Sequence, residues 1–581
     1  MADAAPSTAS RPLQILQASK SFRDVQASDL EGFTPEVGRI AAGEALFLKG
    51  DEADFAYVIE QGILGLYDTA RPNETLPTFR KVVPGDLVGE YGLLCDYPRS
   101  ASAVALTDCS FLRLDRELLH QLLRTLPKVQ TTLLREIAEA ASRGRPSGHA
   151  AIRSVALLDL QPGNTSTGAA LAGLRQELQR ISGSAATGGR AIELHAPTEE
   201  DDCHQLLIGS ATGEEIGVFF LRDPRVLSPR NRLLIDRLVT VREGAAETLA
   251  AGREEPIRPD LAVHLWPRDT ARPVPRAPGA EPSGQPLHIR PERPEEMARL
   301  ARTVLRMQNI LVLGGGGARG FAHIGAIAAM EELGRTDIDM VLGVSVGSLI
   351  SSLYAFNLSA GEILAHLERV IIRSRPYTIK LPTDSLFTLN NSRRALREFF
   401  GSSGIEDSWL PFHVYSTNLS RNTLHRWSRG SIPDAVIASM SVPGIFSPFQ
   451  DERGDLHVDG GILCNLPIRE ARQLTNGQVI AISLDALPDE DEAPEATQAA
   501  EARNRESRPS LTRTIISSMM CASHADSRAQ EHLADVLLRP DISRYSFLEW
   551  KYYQEIHAIG YKLALQRLSP PAGRSAAGAR S

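Results

Sequence analysis

Cysteine is scarce in this 581-residue sequence: Cys95, Cys109, Cys203, Cys464 and Cys521 are the five, and they stand far apart. A scattered, odd set gives neither a disulfide framework nor metal-ligand spacing, so reduced thiols in a cytoplasmic protein are expected and no metal is. Long apolar runs are missing too. Nothing approaches the ~18 uninterrupted apolar residues that span a bilayer, so membrane contact is expected to be peripheral, on the inner face. The opening MADAAPSTASRP lacks a basic region and an apolar one, and no secretory signal is expected. Positive charge is not in excess. The 63 Lys and Arg against 71 Asp and Glu leave a net −8, which gives no reason to expect nucleic acid.

What the sequence has is length, enough for two to four domains with apolar cores. It also has one organising stretch, Asn309–Asn357: NILVLGGGGARGFAHIGAIAAMEELGRTDIDMVLGVSVGSLISSLYAFN. This reads as two strand–turn–helix units. Ile310–Leu313 runs into four glycines, Gly314 to Gly317, and a helical segment from Arg319 to Leu333. Met340–Val344 runs into Gly343-Val344-Ser345-Val346-Gly347, a G-x-S-x-G element that opens another helix. Glycines around a serine let the chain turn sharply and hold the hydroxyl exposed at a helix start, where the helix dipole favours negative charge. Each motif alone has a second reading. Gly315-Gly316-Gly317-Ala318-Arg319-Gly320, with Glu331, Glu332 and Asp337 downstream, also satisfies a weak dinucleotide fingerprint. A third element, Val458-Asp459-Gly460-Gly461, decides between them. The fingerprint has no use for it, whereas a serine hydrolase needs a base that an aspartate fixed by two glycines can supply.

GGGGARGFAHIG, GVSVGS, SVPGIFSPF and DGGILCNLPI, in that order, resemble the patatin-like phospholipases, and among them the bacterial relatives of neuropathy target esterase. The resemblance covers about Asn309 to Leu568. It implies a three-layer α/β/α hydrolase domain with a Ser345–Asp459 dyad and no catalytic histidine. It makes the oxyanion loop from the N–H groups of Gly315, Gly316 and Gly317. Arg319 is grouped with them, bracing the loop or meeting an anionic lipid head. His323 is read as a structural histidine in a packed helix. Of the later histidines, His413, His425, His457, His524, His532 and His557, only His457 lies near a motif.

Upstream, short strands at Glu44–Lys49, Phe55–Gln61, Ile63–Asp68 and Phe79–Val83 alternate with glycine turns, which suggests a β-barrel or jelly roll. The following PGDLVGEYGLLCDYPRSASAVAL is similar to the cyclic-nucleotide-binding domain family. That resemblance puts Gly89, Glu90, Arg99, Ser100 and Ala101 in a phosphate cassette, with Arg99 for the phosphate and Glu90 for the ribose. Ala101 in place of a hydroxyl favours cAMP over cGMP. A barrel retained as a scaffold that binds nothing is the other reading.

The expected organisation is then a tail at 1–12, the cyclic-nucleotide-binding-like domain at 13–145 and a small α/β domain at 151–250. A Pro-rich linker at 251–294, the hydrolase domain at 295–568 and a tail at 569–581 complete it. In the α/β domain, strands are expected at Ser154–Leu160, Gln205–Ile208 and Gly217–Leu221, and helices at Thr167–Ile181 and Pro229–Ala250. No Gly-Lys-Ser/Thr phosphate loop occurs there, and His204 beside Asp201, Asp202 and Cys203 reads as loop polarity rather than a metal site. The linker reading rests on ten prolines between Gly252 and Pro294. Ile371–Leu389 is either a rim that touches anionic lipid or an ordinary surface loop. Pro488–Pro509 reads as an acidic insertion. The function expected is a lysophospholipase or phospholipase B-type hydrolase of phospholipid or lysophospholipid. It requires no cofactor and takes cyclic nucleotide as a regulator. The contrasting class is a non-catalytic, second-messenger-responsive scaffold that docks to membranes.

Overall fold

Apolar residues at every second position of Ile310–Leu313 send Leu311 and Leu313 into one hydrophobic layer and Ile310 and Val312 into another. Both layers are buried, as a parallel strand covered by helices on two faces requires. This comes from a computed structural model. It describes residues 10–569 except 20, 24, 31–34, 70–80, 96, 126–151, 185–186, 188–189, 214, 245–258, 274–284, 336, 374–377, 380–386 and 486–510. The chain divides into two units, Met1–Leu158 with Arg190–Leu238, and Asp159–Gly189 with Val239–Ser581.

In the first unit, β1 (Val37–Ile40), β2 (Ala45–Phe47), β3 (Phe55–Gln61), β4 (Leu64–Tyr67), β5 (Lys81–Val82), β6 (Leu87–Val88), β7 (Ser102–Ala105) and β8 (Cys109–Asp115) are antiparallel. They form two four-stranded sheets, β1-β8-β3-β6 and β2-β7-β4-β5, around cores that include Val58, Leu112 and Leu114 on one side and Ile59, Leu64 and Phe111 on the other. The helix Ser10–Ala18 begins inside the stretch read as a tail, and Arg11 ties it to Glu60 at 2.8 Å.

Three parallel strands follow in that unit, β9 (Ser154–Asp159), β10 (Ile192–His195) and β11 (Ile216–Leu221), with β11 between the other two. Gln205–Ile208, read above as a strand, lies inside the helix Glu200–Thr212. Glu200, Asp201 and Asp202 fill its first turn, where the helix dipole favours acids. His204 is therefore helical rather than on a loop, and its Nδ1 meets the Asn231 Oδ1 at 2.9 Å.

In the second unit β12 (Arg237–Glu243), β13 (Leu261–Leu265) and β14 (Leu287–Ile289) are parallel. Two expectations are corrected here. The helix expected over 229–250 stops at Leu234, and the alternating RLVTVRE forms β12 instead. The stretch read as a linker contains β13 and β14, because its prolines flank the strands, as Pro259, Pro267, Pro286 and Pro291 do, and do not interrupt them.

The larger sheet of this unit is built from β15 (Ile310–Leu313), β16 (Met340–Val344), β19 (Phe412–Asn418), β20 (Thr423–Trp427), β21 (Phe449–Gln450), β22 (Leu456–Asp459), β23 (Val479–Ile482) and β24 (Val536–Leu538). Its order is β21-β22-β19-β16-β15-β23-β24, with β20 also paired to β19. The run from β24 to β19 is parallel, while β20 and β22 are antiparallel to β19. Within the stretch read as a lipid rim or surface loop, Ile371–Arg373 end a helical turn, and β17 (Thr378–Ile379) pairs antiparallel with β18 (Phe387–Thr388). The helices Phe321–Glu332 and Tyr553–Leu568 pack closely together on one side of this sheet. The acidic stretch 488–509 lies outside the described residues, and so do residues 570–581.

The three acids that a dinucleotide fingerprint would employ hold the fold together. Glu331 accepts the Ala360 N–H at 2.9 Å, Glu332 meets the Tyr561 hydroxyl, and Asp337 accepts from Asn309 at 3.0 Å.

Candidate active site

β16 ends at Val344, and the helix Val346–Ala355 starts two residues later, leaving Ser345 alone to make the turn. Its backbone sits at φ 53°, ψ −124°, a conformation that costs a non-glycine residue about 1–3 kcal/mol and that surrounding contacts must enforce. Gly347 permits the turn, since a Cβ there would run into the Leu313 carbonyl of β15. The Ser345 N–H is held by the Ser439 Oγ at 2.8 Å, and that hydroxyl donates in turn to the Tyr415 carbonyl at 2.6 Å.

Asp459 ends β22 and pairs with Ser416 of β19. Its N–H donates to the Ser441 carbonyl at 2.9 Å, and its carboxylate accepts the Gly461 N–H at 2.8 Å. The side chain is buried, at 4% exposure. Burial pushes its pKa up to about 6, against hydrogen bonds from the Ser345 hydroxyl and the Gly461 N–H that pull it down. A carboxyl so placed is ionised at neutral pH and poorly solvated, which makes it a competent proton acceptor.

The glycine run divides into two functions. Gly314 donates to the Ile482 carbonyl and Gly315 to the Asn465 carbonyl, both at 3.2 Å. The Asn465 side chain donates to Asp485 at 2.8 Å and to the Gly315 carbonyl at 3.4 Å, so it pins this half of the loop. Among the described residues no acceptor takes the N–H of Gly316 or Gly317. Gly317 has φ +56°, and a Cβ there would meet the Phe547 carbonyl. Arg319 reaches backwards, donating from Nε to the Tyr545 carbonyl at 2.8 Å and from Nη1 to the Leu484 carbonyl at 3.5 Å. Of the four residues grouped at the oxyanion loop, Gly316 and Gly317 thus present uncommitted donors, whereas Gly315 and Arg319 bind the loop to the fold.

Ser345 and Gly317 line one cavity enclosing about 910 Å³ of empty space, its mouth included. Its other walls are mainly apolar, among them Leu349, Leu367, Leu396, Met440, Ile445 and Phe446. The histidines stand elsewhere or are otherwise engaged. His323 is fully buried, its Nε2 on the Gly314 carbonyl at 2.8 Å, and burial lowers its pKa to about 4. His457 is buried between the Ser416 hydroxyl at 3.0 Å and Asp451 at 3.3 Å. His366 does line the cavity, but its ring packs edge-on against Phe399 at 4.8 Å, and burial, then Arg369, lowers its pKa.

The barrel's cassette is arranged differently. Arg99 is 5% exposed and donates to the Gly89 carbonyl at 2.8 Å and the Phe55 carbonyl at 2.6 Å, with its Cζ 4.3 Å above the Phe47 ring. Among the described residues its Nε has no hydrogen-bond partner. Gly89, at φ +84°, leaves room for the guanidinium, Glu90 starts the helix Glu90–Cys95, Ser100 is exposed and Ala101 is buried. Among the described residues no group of acids, histidines and cysteines could hold a metal ion, and no helix is long and apolar enough to cross a membrane.

Family models match at two places: patatin-like phospholipase over residues 311–472 and cyclic nucleotide-binding domain over 37–125. The chain carries a patatin-like phospholipase domain and a cyclic nucleotide-binding domain. It is 27% identical to an uncharacterised NTE family protein of Mycobacterium bovis, over 91% of each chain. It is 25% identical to Lysophospholipase NTE1 of Pyricularia oryzae, over 92% of this chain and 42% of that one. Among solved structures it is similar to the N-terminal domain of a transcriptional regulator from Streptomyces coelicolor, at 30% identity over 22% of this chain and 91% of that chain, with a TM-score of 0.18. The patatin-like phospholipase domain is an enzyme domain of the lipid ester hydrolase class, and it contains both Ser345 and Asp459. The sequence reading missed Ser439, for which no local pattern exists, while Ser441 opens the SVPGIFSPF block quoted above. The tertiary approach of the end of the helix Ile432–Met440 brings both to the site.

Proposed function

We propose that this chain hydrolyses carboxylic esters of lysophospholipid or phospholipid, as a lysophospholipase or phospholipase B, through a Ser345–Asp459 dyad. The observation that carries this reading is a buried Asp459 facing the Ser345 hydroxyl at an apolar cavity. Asp459 takes the hydroxyl proton as Oγ bonds to the ester carbonyl carbon. The carbonyl oxygen becomes an alkoxide, and Gly316 and Gly317 supply N–H donors, each worth about 3 kcal/mol in the transition state. The proton passes to the departing alcohol as the C–O bond breaks, leaving an acyl-Ser345. Water, losing its proton to Asp459, then attacks the acyl carbonyl, and Asp459 returns the proton to Oγ as the acyl C–Oγ bond breaks and the fatty acid leaves. The cavity takes the acyl chain. A non-catalytic docking scaffold would need neither the strained serine nor the uncommitted donors. A fluorophosphonate tests the reading: labelling confined to Ser345, and lost with lipid hydrolysis in Ser345→Ala, supports it. Labelling elsewhere, or full hydrolysis by Ser345→Ala, refutes it.

Cyclic nucleotide, with cAMP favoured over cGMP, is proposed as the regulator, bound at Gly89, Glu90 and Arg99. Support comes from the sequestered guanidinium, whose Nε lacks a partner among the described residues and whose other nitrogens a phosphate would draw away from backbone carbonyls. Cytoplasmic residence with peripheral attachment is proposed as well. It predicts release from membranes by high salt, because exposed charge attraction is screened, and retention until detergent is added would contradict it.

A further inference from the structure

The last turn of the helix Ile432–Met440 and the residue after it touch both members of the dyad, and neither through a side chain that enters the cavity. The Ser439 hydroxyl accepts the Ser345 N–H at 2.8 Å, and the Ser441 carbonyl accepts the Asp459 N–H at 2.9 Å. Ser439 also donates to the Tyr415 carbonyl at 2.6 Å, on the strand whose next residue, Ser416, pairs with Asp459. Ser439 is fully buried. Ser345 at φ 53° lies outside both the β16 ladder and the helix it begins, so neither regular element takes its N–H. One side-chain hydroxyl does.

We infer that Ser439 is a positioning residue for the nucleophile: it fixes the strained backbone of Ser345 so that Oγ faces Asp459 and the Gly316–Gly317 donors together. This rests on Ser345 being the nucleophile. Without the Ser439 hydroxyl, the partly buried N–H of Ser345 loses its acceptor, the Tyr415 carbonyl loses the Ser439 donor, and the turn relaxes towards an ordinary conformation. Oγ then leaves the line between the acid and the ester carbonyl, and a small misplacement of a reacting atom is costly. Ser439 does not line the cavity, whereas its neighbours Met440 and Val442 do. Substrate binding and acylation therefore separate at this residue. Loss of the hydroxyl lowers kcat and leaves KM near its original value.

The test uses the full chain, a micellar lysophosphatidylcholine and a fluorophosphonate. Ser439→Ala is expected to lower kcat and the Ser345 labelling rate alike, by roughly ten- to a hundredfold, from one buried donor left unsatisfied. KM should change less than about threefold, and Ser439→Thr, which keeps the hydroxyl, should recover most of the lost rate. Should the Thr methyl overpack the site, Ser439→Cys, a weaker acceptor of similar size, should fall between Ser and Ala. Equal kcat in Ser439→Ala and the original enzyme would overturn the inference. So would a loss confined to KM, or a Cys variant no better than Ala when Thr also fails. Ser345→Ala run alongside separates the two levels: if it keeps activity, the dyad reading fails first. If it is inactive while Ser439→Ala is unimpaired, only the positioning role falls.

Discussion

Among the described residues, the patatin-like domain leaves the N–H groups of Gly316 and Gly317 without acceptors in the domain that holds Ser345, whereas the barrel turns its Arg99 guanidinium onto the carbonyls of Gly89 and Phe55. Both places suit an anion, a transient alkoxide in one and a phosphate in the other. The first is preorganised: Gly317 lines the cavity, and the two donors have nothing to give up when charge develops, which is where electrostatic catalysis gains most. The second is self-satisfied, and a ligand there must first replace internal hydrogen bonds, so its apparent affinity is lowered by that exchange. A motif specifies which residue stands at a site. Whether that residue is available depends on what else can reach it.

The largest effects should come from the dyad. Ser345→Ala and Asp459→Asn should each lower kcat by at least about a thousandfold in a lysophospholipase assay. Asp459→Asn should also stabilise the protein. A folded pKa of about 6 against an ordinary 3.8 means that the fold disfavours the ionised form. The contribution of this group is most favourable below the ordinary value and is lost as pH rises through the folded one, so at neutral pH the wild type carries an unfavourable charge. Thermal melts should give the Asn variant a higher Tm at pH 8, worth up to about 3 kcal/mol, with the gain gone near pH 4. A lower Tm at pH 8 would contradict the burial argument.

Gly317→Ala should come next. A residue at φ +56° whose Cβ meets the Phe547 carbonyl forces the loop to shift, and kcat should fall by about a hundredfold or more while the melting curve changes modestly. Equal activity would remove Gly317 from the oxyanion role. On the barrel side, Arg99→Ala should abolish any calorimetric heat from cAMP and lower stability by about 1–3 kcal/mol, because two partly buried carbonyls lose their donor. If the original protein gives no heat at millimolar cAMP while Arg99→Ala still destabilises it, Arg99 serves the fold alone. The smallest effects on kcat should come from His457→Gln and His323→Gln, which retain the greater part of activity but melt earlier, since each ring fills a buried hydrogen-bonded position.

Much of this was legible in the sequence where local chemistry decides the conformation. Phe55–Gln61 forms a strand over those same residues, from a short apolar run bounded by a glycine turn. Ser345 and Asp459 came to light through glycines that permit sharp turns beside strands. What was missed depends on distant partners. The three-residue strand Val536–Leu538 exists because Val479–Ile482 lies alongside it. Leu287–Ile289 sits in proline-rich sequence and is a strand only by pairing with Leu261–Leu265. Gln205–Ile208 was taken for a strand because four residues do not reveal a thirteen-residue helix around them. Gly315 and Gly317 look equivalent in a run of glycines, and only the Asn465 carbonyl tells them apart.

The central claim is that a carboxyl, with no imidazole between, takes the proton of Ser345. The pH midpoint alone would not separate the two, because an ordinary histidine titrates close to the value of about 6 held by Asp459. Their heats of ionisation do: carboxylic acids ionise with almost no heat, and imidazolium with a large one. The most direct test is therefore the temperature dependence of the midpoint for acylation of Ser345, followed as single-turnover release from a soluble ester. A rate that rises with pH through a midpoint near 6, unmoved as the temperature changes, is the predicted result. A midpoint that falls steadily on warming would mean an imidazole takes the proton, and His366, the histidine on the cavity wall, would be the first to replace Asp459 in that role.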